Sequence, residues 1–579
     1  MREQLSWKVG GQQGEGIEST GEIFASALNR LGYYLYGYRH FSSRIKGGHT
    51  NNKIRVSTKP LHSISDQLHI LVAFDQESID VNIHELASDG IIIADAKFNP
   101  VVTEGYNARL FAVPFTEIAT ELGTSLMKNM VAVGATSAIL GLAPDSYQEV
   151  VEDIFLRKGT TVVEKNMEAI KAGADFFRGE AGETIQGQLA PADGKKRMFM
   201  IGNDAIGMGA VAAGSRFMAA YPITPASEIM EYMIKKLPQF GGTVIQTEDE
   251  IAACTMAIGA NYAGVRSFTA SAGPGLSLMA EAIGLSGMTE TPLVIIDTQR
   301  GGPSTGLPTK QEQSDLMAMI YSTHGDIPKI VITPSTVEEA FYDTVEAFNL
   351  AEEFQCPVIL VTDLALSLGK QTVEPLDFNK IDIRRGALKL GEELPERENK
   401  AYFKRYEVTE TGVSSRVIPG MKHGIHHVTG VEHDETGKPS ESPENRVQQM
   451  DKRLRKLIHL PDTFKKPLHV NAKHDEADLL VIGVNSTRGT IEEAMPRLED
   501  DGIKVNHVHV RLLHPFPTRE VKQQIARAKK VVVVENNATA QLANIVKMNV
   551  GNVQLEHVLK YDGNPFLPGE LHQRCKELI

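Results

Sequence analysis

The sequence predicts a multidomain α/β protein, and three observations support this prediction. Short apolar runs alternate with amphipathic stretches of helical period along most of the chain, which is typical of strands followed by helices. At 579 residues the chain exceeds what one hydrophobic core can hold, and it should form about three or four domains. Glycine-rich turns follow several predicted strands, and such turns commonly bind ligands in open α/β sheets.

Four segments can be distinguished along the chain. The first shows the βα alternation of a parallel sheet, with a predicted helix from Ile17 to Leu31, and a polar Gly/Lys-rich linker (179–197) overlaps its end. A second α/β unit begins with a predicted strand from Met198 to Ile201. A charged connecting arm without a sustained period follows, and a compact third α/β domain comes last. The predicted bounds are 1–190, 195–373, 374–470 and 471–579.

Composition limits the classes of function. A formal net charge of −13 without a long Lys/Arg run argues against a nucleic-acid-binding or acidic-membrane-binding surface. The longest uncharged run, 129–144, is too short and too rich in small residues to span a bilayer, and no signal peptide opens the chain. We therefore expect a cytoplasmic protein. Cys254, Cys356 and Cys575 are too few and too scattered for an iron–sulfur cluster or a zinc site, so no metal site is expected in this chain.

The segment Tyr221-Pro222-Ile223-Thr224-Pro225 forms a rigid turn where a strand should continue. Each proline fixes its own φ and disfavours the α region for the residue before it, so Thr224 is held extended with its hydroxyl aimed by the backbone. Tyr221 and Ile223 are expected to be buried. Such a turn could hold a ligand, or it could be a tight structural turn that Thr224 caps. The five residues alone leave both interpretations open.

An acidic cluster follows the next predicted strand. Glu248, Asp249 and Glu250 precede a predicted helix from Ile251 to Ala263, where one acidic residue would be favourable at the amino terminus. Three in succession repel one another, which capping does not require. The apolar residues after Glu250 should partly desolvate its carboxylate, and a desolvated carboxylate readily shares a proton with a ring nitrogen.

Two further turns follow predicted strands of the same unit. The segment from Ser271 to Gly275 leaves no room for bulky side chains, and close approach of a ligand or turn geometry explains it equally well. The segment from Gln299 to Gly306 follows an apolar strand, at the strand end where ligands bind in open α/β sheets. Arg300 in this segment could bind a substrate carboxylate through a two-pronged hydrogen bond, an interpretation that we favour over a plain surface arginine.

Other motifs carry weaker signals. Backbone N–H groups from Gly10 to Gly16 could bind a phosphate or form a structural turn, and Arg44 to His49 could bind an anion or form a solvated loop. Gly207, Gly209 and Ala212 satisfy GxGxxA, yet the next strand lacks the ribose-binding carboxylate, so close packing of a helix on its sheet explains them better than a nicotinamide site. A group of histidines in the arm lacks the regular ligand spacing that a metal site needs: His423, His426, His427 and His433.

Four of these motifs closely resemble, in the same order, motifs of the alpha subunits of the 2-oxoacid:ferredoxin oxidoreductases; they lie at 221–225, 247–253, 269–275 and 299–306. The glycine segment from Gly10 to Gly16, with Arg44 to His49, resembles the gamma domain of that family, here fused ahead of the alpha part. The resemblance covers nearly the whole chain, including the arm segment from His426 to Gly437. The fused form without its own cluster is most similar to family members that act on 2-oxoglutarate.

The resemblance implies a fold and a chemistry. The fold would combine a gamma-type α/β domain, a pyrimidine-type thiamine-diphosphate-binding domain and a transketolase C-terminal-like domain. Glu250 would pair with the aminopyrimidine ring and drive formation of the thiazolium ylide, while Thr224 and Arg300 would hold the oxo and carboxylate groups of the substrate. The residues implied in catalysis are Glu250, Thr224 and Arg300, and those implied in cofactor binding are Tyr221, Pro222, Ile223, Glu250, Gly273, Gly275, Gly11, Gly14 and Gly16.

The resemblance also implies that this chain is half of an active site. The sequence contains no Gly-Asp-Gly motif followed by an Asn, by which such enzymes hold magnesium and diphosphate. A separate beta subunit would supply the diphosphate site, Mg²⁺ and a [4Fe–4S] cluster, in an (αβ)₂ heterotetramer that passes electrons to ferredoxin. The implied reaction is the reversible, coenzyme A-dependent oxidative decarboxylation of 2-oxoglutarate to succinyl-CoA, with coenzyme A lying partly against the amino-terminal domain.

Other functions remain open at this level. The same reaction could use pyruvate or a broad range of 2-oxoacids, because these substrates differ beyond C2. A thiamine enzyme of transketolase or decarboxylase type would carry both cofactor halves, and the missing Gly-Asp-Gly argues against it. A nicotinamide-dependent dehydrogenase would use Gly207 to Ala212, and a binding or scaffold protein would give Glu250 no catalytic role. The direction of the reaction, and ferredoxin or flavodoxin as electron carrier, also stay open.

Overall fold

The structure of the chain, a computed structural model, describes residues 1–41, 48–181, 189–389, 394, 396 and 401–579. Contacts within the chain divide it into two compact units. The first comprises Met1–Met200, Leu368–Pro375 and Leu567–Glu570, and the second comprises Ile201–Ser367, Leu376–Phe566 and Leu571–Ile579. The predicted α/β class is confirmed, because helices alternate with strands of mixed and parallel sheets. The predicted domain bounds stay predictions.

The strands are, in chain order, β1 (Gln4–Gln12), β2 (Tyr34–His40), β3 (His49–Ser57), β4 (Leu68–Ala73), β5 (Leu86–Asp95), β6 (Arg109–Val113), β7 (Met198–Met200), β8 (Phe217–Ala220), β9 (Thr243–Gln246), β10 (Ser267–Ser271), β11 (Leu293–Gln299), β12 (Ile330–Ile332), β13 (Pro357–Asp363), β14 (Lys370–Val373), β15 (Leu468–Asn471), β16 (Ala477–Val484), β17 (Val505–Val510), β18 (Leu512–His514), β19 (Ala528–Glu535) and β20 (Glu556–Leu559).

The helices, apart from short 3₁₀ turns, are α1 (Ile17–Arg30), α2 (Gln76–Asn82), α3 (Phe115–Glu121), α4 (Lys128–Leu140), α5 (Gln148–Phe155), α6 (Thr160–Ala181), α7 (Gly202–Ala212), α8 (Ser227–Lys236), α9 (Glu250–Tyr262), α10 (Gly273–Met288), α11 (Leu316–Tyr321), α12 (Val337–Phe354), α13 (Leu364–Leu368), α14 (Pro443–Arg455), α15 (Leu460–Thr463), α16 (Thr487–Asp500), α17 (Thr518–Ile525), α18 (Gln541–Val550) and α19 (Pro568–Lys576).

The first unit is built on a mixed eight-stranded sheet with the order β6-β5-β4-β1-β3-β2-β14-β7. β1, β4, β5 and β6 pair in parallel, whereas β3 pairs antiparallel with both β1 and β2. The prediction of a parallel sheet is therefore wrong for this half of the unit. The connection from His40 to His49 is too short for the crossover that parallel neighbours need, so β2 and β3 form an antiparallel pair.

Strand β7 belongs to this sheet and does not begin the second unit as predicted. It pairs antiparallel with β14, where Gln371 lies opposite Met200, and β14 in turn pairs with β2. A strand of three residues carries no local signal for its partner. Its place is decided by β14, which comes much later in the chain.

Helices α4 and α6 pack closely in the first unit. A Cβ at Gly134 would lie 1.9 Å from the Ile170 carbonyl oxygen, and one at Gly173 would lie 2.1 Å from the Val131 carbonyl oxygen. Most of the long uncharged run forms α4, so its apolar residues serve a buried helix. Across the described ranges, the helices are too short or too polar to cross a membrane.

The second unit contains two sheets. The larger has the order β18-β12-β13-β11-β10-β8-β9, with parallel pairing except between β18 and β12. The smaller has the order β15-β17-β16-β19-β20, with only β15 antiparallel. One hydrophobic cluster contains Ile295 and Val361 of the larger sheet together with Val484 and Val508 of the smaller. The two sheets therefore share a core.

The arm, predicted to lack a sustained period, contains helix α14. The Ser442 side chain caps its amino terminus. Its buried positions are Gln449, Lys452 and Arg453, so apolar periodicity cannot reveal the helix. Buried charge takes the place of apolar contact here, because Lys452 Nζ lies 2.7 Å from the buried carboxylate of Glu290.

Candidate active site

The predicted site residues follow four neighbouring parallel strands of the larger sheet. The chain order reverses at β8, because β9 lies on one side of it and β10 on the other. Such a reversal leaves a crevice outside the carboxyl ends of the strands, where ligands bind in open α/β sheets. The turns after β8, β9, β10 and β11 all lie at this edge, because these strands are parallel.

The turn after β8 is held from two sides. Asn203 Nδ2, on α7, donates to the Pro225 carbonyl at 2.7 Å, and Arg300 Nη1 donates to the Thr224 carbonyl at 2.6 Å. The peptide bond between Thr224 and Pro225 is cis. The structure thus joins two predicted site residues that are far apart in sequence, and it adds Asn203, which no motif marked.

The side chains of this turn are more exposed than the sequence suggested. Tyr221 is 38 % exposed, and Pro222, Ile223 and Thr224 are all partly exposed. The burial expected for Tyr221 and Ile223 is therefore wrong. The reason is that the turn lies beyond the end of β8, outside the hydrophobic core, so its side chains line the accessible edge of the sheet.

The three acidic residues after β9 have different environments. Asp249 caps α9, since its Oδ1 accepts from the Ala252 N–H at 2.7 Å. Glu248 is exposed, whereas Glu250, the first residue of the helix, is only 6 % exposed. The cluster therefore contains one cap, one solvated carboxylate and one buried carboxylate, and the buried one lies in the site.

Gly275 allows α10 to approach Glu250. A Cβ at Gly275 would lie 2.0 Å from Ser271 Oγ and 2.9 Å from Glu250 Oε1, so a side chain there would displace the carboxylate. Ser271 Oγ and Thr269 Oγ1 are buried, and neither has a hydrogen-bond partner within the part of the chain that the structure describes. Ser271 Oγ, which has unused hydrogen-bonding capacity, thus lies close to Glu250.

Arg300 is buried at the end of β11, with 7 % of its surface exposed. Besides its contact to Thr224, its Nη2 donates to the Thr305 carbonyl at 3.4 Å, and its Nε has no partner among the described residues. Burial lowers the pKa of Arg300, and the nearby charge of Asp315 acts in the opposite direction. Two backbone carbonyls hold the guanidinium and leave some of its five N–H donors unused. The expected two-pronged carboxylate contact stays a prediction.

The sequence motifs missed two acidic residues of the second unit, one on β11 and one just before α11. Asp297 is fully buried on β11, and neither of its carboxyl oxygens has a partner in the described ranges. Asp315 lies just before α11; its carboxylate accepts from the Gly273 N–H, and its own N–H donates to Gln299 Oε1 at 3.0 Å. The only local signal was an acidic residue inside an apolar strand, because the rest of the arrangement is made by distant segments.

In the first unit, the glycine segment connects β1 to α1 as expected. Gly14 and Gly16 have positive φ angles of 98° and 82°, which glycine adopts without strain. A Cβ at Gly11 would lie 2.6 Å from Ile17 Cδ1, so close packing also requires this glycine. Turn geometry and packing therefore account for all three glycines, and their role toward a cofactor stays a prediction.

A carboxylate of the chain itself occupies part of this turn. Glu15 Oε2 accepts from the Gln12 N–H at 3.0 Å, and Glu15 Oε1 lies 2.8 Å from Lys128 Nζ. The turn thus already contacts an anionic group of the chain itself, and phosphate binding at this turn stays a prediction. The cations at Arg44 and Lys46 lie outside the described residues.

The remaining motifs have structural explanations. A Cβ at Gly207 would lie 2.5 Å from the Tyr232 ring, and one at Gly209 would lie 2.5 Å from the Phe341 carbonyl oxygen. Helix α7 is thus close to helices α8 and α12, where the sequence predicted close packing on a sheet. In the described ranges, His, Cys, Asp and Glu form no group of three or more that could hold a metal ion.

Comparison with protein families defines the class of the chain. Residues 6–176 match the family described as pyruvate ferredoxin/flavodoxin oxidoreductase, and residues 477–570 match pyruvate:ferredoxin oxidoreductase core domain II. Residues 208–452 match the thiamine-diphosphate-binding domain of pyruvate flavodoxin/ferredoxin oxidoreductase, and they contain Glu250, Thr224 and Arg300. The fold and these matches define an oxidoreductase chain with a thiamine-diphosphate-binding domain.

Individual relatives narrow this class. The chain is 33 % identical to the 2-oxoacid:ferredoxin oxidoreductase subunit alpha of a Sulfolobus species, covering 100 % of this chain and 97 % of the relative. It is 31 % identical to the 2-oxoglutarate oxidoreductase subunit KorA of Mycobacterium tuberculosis, covering 98 % and 90 %. A solved structure, the 2-oxoglutarate:ferredoxin oxidoreductase of Magnetococcus marinus, is 36 % identical with a TM-score of 0.91 and covers 100 % of both chains. The chain belongs to the family of 2-oxoacid:ferredoxin oxidoreductase alpha subunits, so the resemblance seen in the motifs is confirmed.

Proposed function

We propose that this chain is the alpha subunit of a 2-oxoglutarate:ferredoxin oxidoreductase. The reaction converts 2-oxoglutarate, coenzyme A and two oxidised ferredoxins to succinyl-CoA, carbon dioxide, two reduced ferredoxins and a proton. The observation that carries this proposal is the similarity over both full chains to the Magnetococcus enzyme, whose structure is described with 2-oxoglutarate, coenzyme A and succinyl-CoA bound. A second candidate is the same reaction on pyruvate or on many 2-oxoacids, because several relatives are named only for 2-oxoacids.

The residues present fit thiamine diphosphate. Glu250 offers a buried carboxylate, and the absence of a side chain at Gly275 keeps it in place. Ser271 Oγ and Thr269 Oγ1 are buried with unused hydrogen-bonding capacity. When bound, thiamine diphosphate supplies the nucleophilic carbon and the electron sink that decarboxylation of a 2-oxoacid requires. Tyr221, Pro222, Ile223, Gly273 and Gly275 would form the wall on this chain's side.

The chain's own residues then have separate tasks. Glu250 would exchange a proton with a ring nitrogen of the cofactor, because its carboxylate is the buried one of the acidic cluster. Arg300 binds the C1 carboxylate of the substrate through its remaining N–H donors, and Thr224 orients the oxo group. Gly11, Gly14 and Gly16 of the first unit would contact a phosphate of coenzyme A.

A partner must complete the site. The sequence contains three cysteines, whereas a [4Fe–4S] cluster needs four thiolates, and it contains no Gly-Asp-Gly motif for Mg²⁺ and diphosphate. A beta subunit would supply these groups in an (αβ)₂ assembly and pass electrons one at a time to ferredoxin. The name alpha that the relatives carry supports the existence of further subunits.

The test compares two neighbouring carboxylates. In the complex assembled with its beta subunit, Glu250→Gln should lower kcat by about 10²-fold to 10⁴-fold, the usual range for a lost proton-transfer group. Glu248→Gln removes the exposed acidic residue of the same cluster and should leave kcat unchanged. Rates on 2-oxoglutarate, pyruvate and branched 2-oxoacids identify the substrate. Normal turnover by Glu250→Gln would exclude the proposed role, and a preference for pyruvate would favour the second candidate.

A further inference from the structure

A buried amide side chain, that of Gln299, stands directly before Arg300 and has no role in the function described so far. Gln299 is the last residue of β11 and is fully buried. In the ladder between β11 and β13, Gln299 lies opposite Asp363, and the ladder ends at this pair. Arg300 is therefore the first residue beyond the sheet, and contacts outside the ladder have to fix the place where its side chain begins.

The Gln299 amide connects three separate segments of the second unit. Its Nε2 donates to the Thr362 carbonyl on β13 and to Asn485 Oδ1, both at 3.3 Å. Its Oε1 accepts from the Asp315 N–H at 3.0 Å, in the segment before α11. A side-chain amide has two N–H donors and one carbonyl oxygen, so both donors and the oxygen are in use. An apolar side chain of the same length would fill the space and lose all three contacts.

Asn485 is itself held in one orientation. It follows β16 of the smaller sheet, is fully buried and has a φ of 50°, a left-handed conformation that asparagine adopts more readily than most residues. Its Nδ2 donates to the carbonyls of Pro334 at 3.0 Å and Val361 at 2.7 Å. His509 Nε2 donates to its backbone carbonyl at 2.9 Å. Asn485 therefore presents its Oδ1 to Gln299 from a fixed position at the end of β16.

The two sheets of the second unit are also joined without Gln299. Asp363 Oδ2 accepts from Gln313 Nε2 and from Ser486 Oγ, both at 2.7 Å, and the two sheets share a hydrophobic core. The cohesion of the unit therefore does not depend on Gln299. What Gln299 adds is a connection to the smaller sheet at the point where the chain leaves the β11 ladder toward Arg300.

We propose that Gln299 is a positioning residue, which fixes the start of the turn that carries Arg300 by connecting the end of β11 to Asn485 of the smaller sheet. The proposal rests on the proposed role of Arg300 in binding the substrate carboxylate. Gln299 is fully buried, so it acts through its neighbour in the chain and not by touching the substrate. Arg300 already donates to the carbonyls of Thr224 and Thr305, so a shift of its backbone would displace the N–H donors that remain for the substrate.

The proposal predicts an effect on KM more than on kcat. In the assembled complex, Gln299→Met should raise KM for the 2-oxoacid about ten-fold and change kcat less, because a displaced guanidinium binds the substrate carboxylate less well. Gln449→Met is the matched control, since Gln449 is equally buried on α14 and its Nε2 donates to the Tyr406 carbonyl at 3.0 Å. The control should lower the midpoint of thermal unfolding and leave KM unchanged.

A double substitution tests whether Gln299 and Asn485 act as one connection. Asn485→Gly removes the partner of the Gln299 amide and places a residue there that adopts a positive φ without strain. It should raise KM, and the double variant should raise KM no further than the larger single effect, because both substitutions break the same connection. Two single effects that multiply in the double variant would overturn the proposal. An unchanged KM in Gln299→Met, with a lowered midpoint of thermal unfolding, would also overturn it.

Hydrogen exchange of the full chain tests the positioning directly and needs no activity. Backbone amides of the segment 298–306 should exchange faster in Gln299→Met and in Asn485→Gly than in the unmodified chain. Gln449→Met should leave the exchange of this segment unchanged. Equal exchange in the unmodified chain and in Gln299→Met would contradict the proposal.

Arg300→Ala separates this inference from the proposed function. If Arg300→Ala leaves KM unchanged in the assembled complex, the proposed function of Arg300 fails. If Arg300→Ala raises KM while Gln299→Met does not, only the positioning role of Gln299 fails.

Discussion

Arg300 connects two turns of the second unit and keeps N–H donors free for the proposed carboxylate contact. Its Nη1 and Nη2 donate to the carbonyls of Thr224 and Thr305, so the guanidinium joins the turn after β8 to the turn after β11. A planar guanidinium can make these contacts and still present further N–H groups to a carboxylate. An ammonium group has three donors around one nitrogen and cannot reproduce this arrangement.

Arg300→Lys should therefore weaken substrate binding although the charge is kept. We expect KM for the 2-oxoacid to rise about ten-fold and kcat to change less, because the lost contact is to a carboxylate that does not react. Steady-state kinetics of the assembled complex measure both constants. Arg519→Lys, at a 67 % exposed side chain, is the control. An unchanged KM in Arg300→Lys would remove Arg300 from carboxylate binding.

Single residues were predicted well where a local motif carries the information. The segment around Thr224, the acidic cluster with Glu250 and the turn with Arg300 all lie at strand ends as expected. The sequence could not separate Asp249 as a cap from Glu250 as the buried carboxylate, because both stand at the start of one helix. The approach of the Asp315 carboxylate to Gly273 depends on the fold of a distant segment, which no motif encodes.

At the scale of elements, hydrophobic periodicity predicted helices and strands correctly where apolar residues form the buried face. The helices predicted from Ile17 to Leu31 and from Ile251 to Ala263 agree with α1 and α9 to within one residue at each end. Prediction failed for β7, whose place in a sheet depends on a partner strand far along the chain. It also failed for α14, whose buried face carries charged side chains. Helix α14 depends on ion pairs with distant residues, and these contribute no hydrophobic pattern.

The arm is attached to the second unit by a buried ion cluster. Lys452 and Lys456 lie 2.7 Å and 2.5 Å from the two carboxyl oxygens of Glu290, and all three side chains are fully buried. Arg405 donates to the Glu290 carbonyl at 2.6 Å. Burial alone would raise the pKa of Glu290, but Lys456 and Lys452 hold it well below its usual range.

Glu290→Gln should destabilise the second unit strongly. The substitution leaves two buried ammonium groups without a counter-ion, and breaking a buried ion pair in this way costs about 3 to 5 kcal/mol. Thermal unfolding of the chain measures the effect. Asp462→Asn breaks the exposed pair with Arg519 and should cost less than about 1 kcal/mol. Equal decreases in the midpoint of thermal unfolding for both variants would show that the buried cluster stabilises the chain no more than the exposed ion pair.

Strand β17 makes the smaller sheet sensitive to acid. His507 and His509 are fully buried; His507 Nε2 lies 3.2 Å from His509 Nδ1, and His509 Nε2 donates to the Asn485 carbonyl at 2.9 Å. Burial, with the neighbouring His509, lowers the pKa of His507 well below its usual range, and burial lowers the pKa of His509 to about 3. The folded state therefore holds both rings neutral where the unfolded chain would protonate them.

The sign of the pH effect follows from these lowered pKa values. The stabilising difference is complete above the unfolded pKa of about 6.5 and is lost as pH falls toward the folded values, by about 1.4 kcal/mol per pH unit for each ring. His507→Leu should make the midpoint of thermal unfolding fall less steeply between about pH 6 and about pH 5. His459→Leu, at an exposed histidine, should not change the slope. Parallel slopes for all three proteins would exclude the buried pair as the cause.

At the scale of the whole molecule, the second unit carries this chain's half of the proposed site at one edge of its larger sheet. Glu250, Thr224 and Arg300 follow strands of this sheet, and the sheet shares its core with the smaller one. This arrangement brings the predicted site residues of the second unit to one edge of the larger sheet. It does not supply the metal and diphosphate half, for which the chain has no Gly-Asp-Gly motif.

The purified chain should therefore be colourless and inactive without its partner. Its three cysteines are buried in separate places, and burial raises the pKa of each thiol to about 12, which disfavours the thiolate that an iron–sulfur cluster requires. We expect no visible absorption, no bound iron and no 2-oxoacid-dependent dye reduction from the chain alone. Addition of a separately purified beta subunit should restore dye reduction in proportion to the amount added. Substantial dye reduction by this chain alone would mean that it forms a complete site, and the shared-site proposal would then fail.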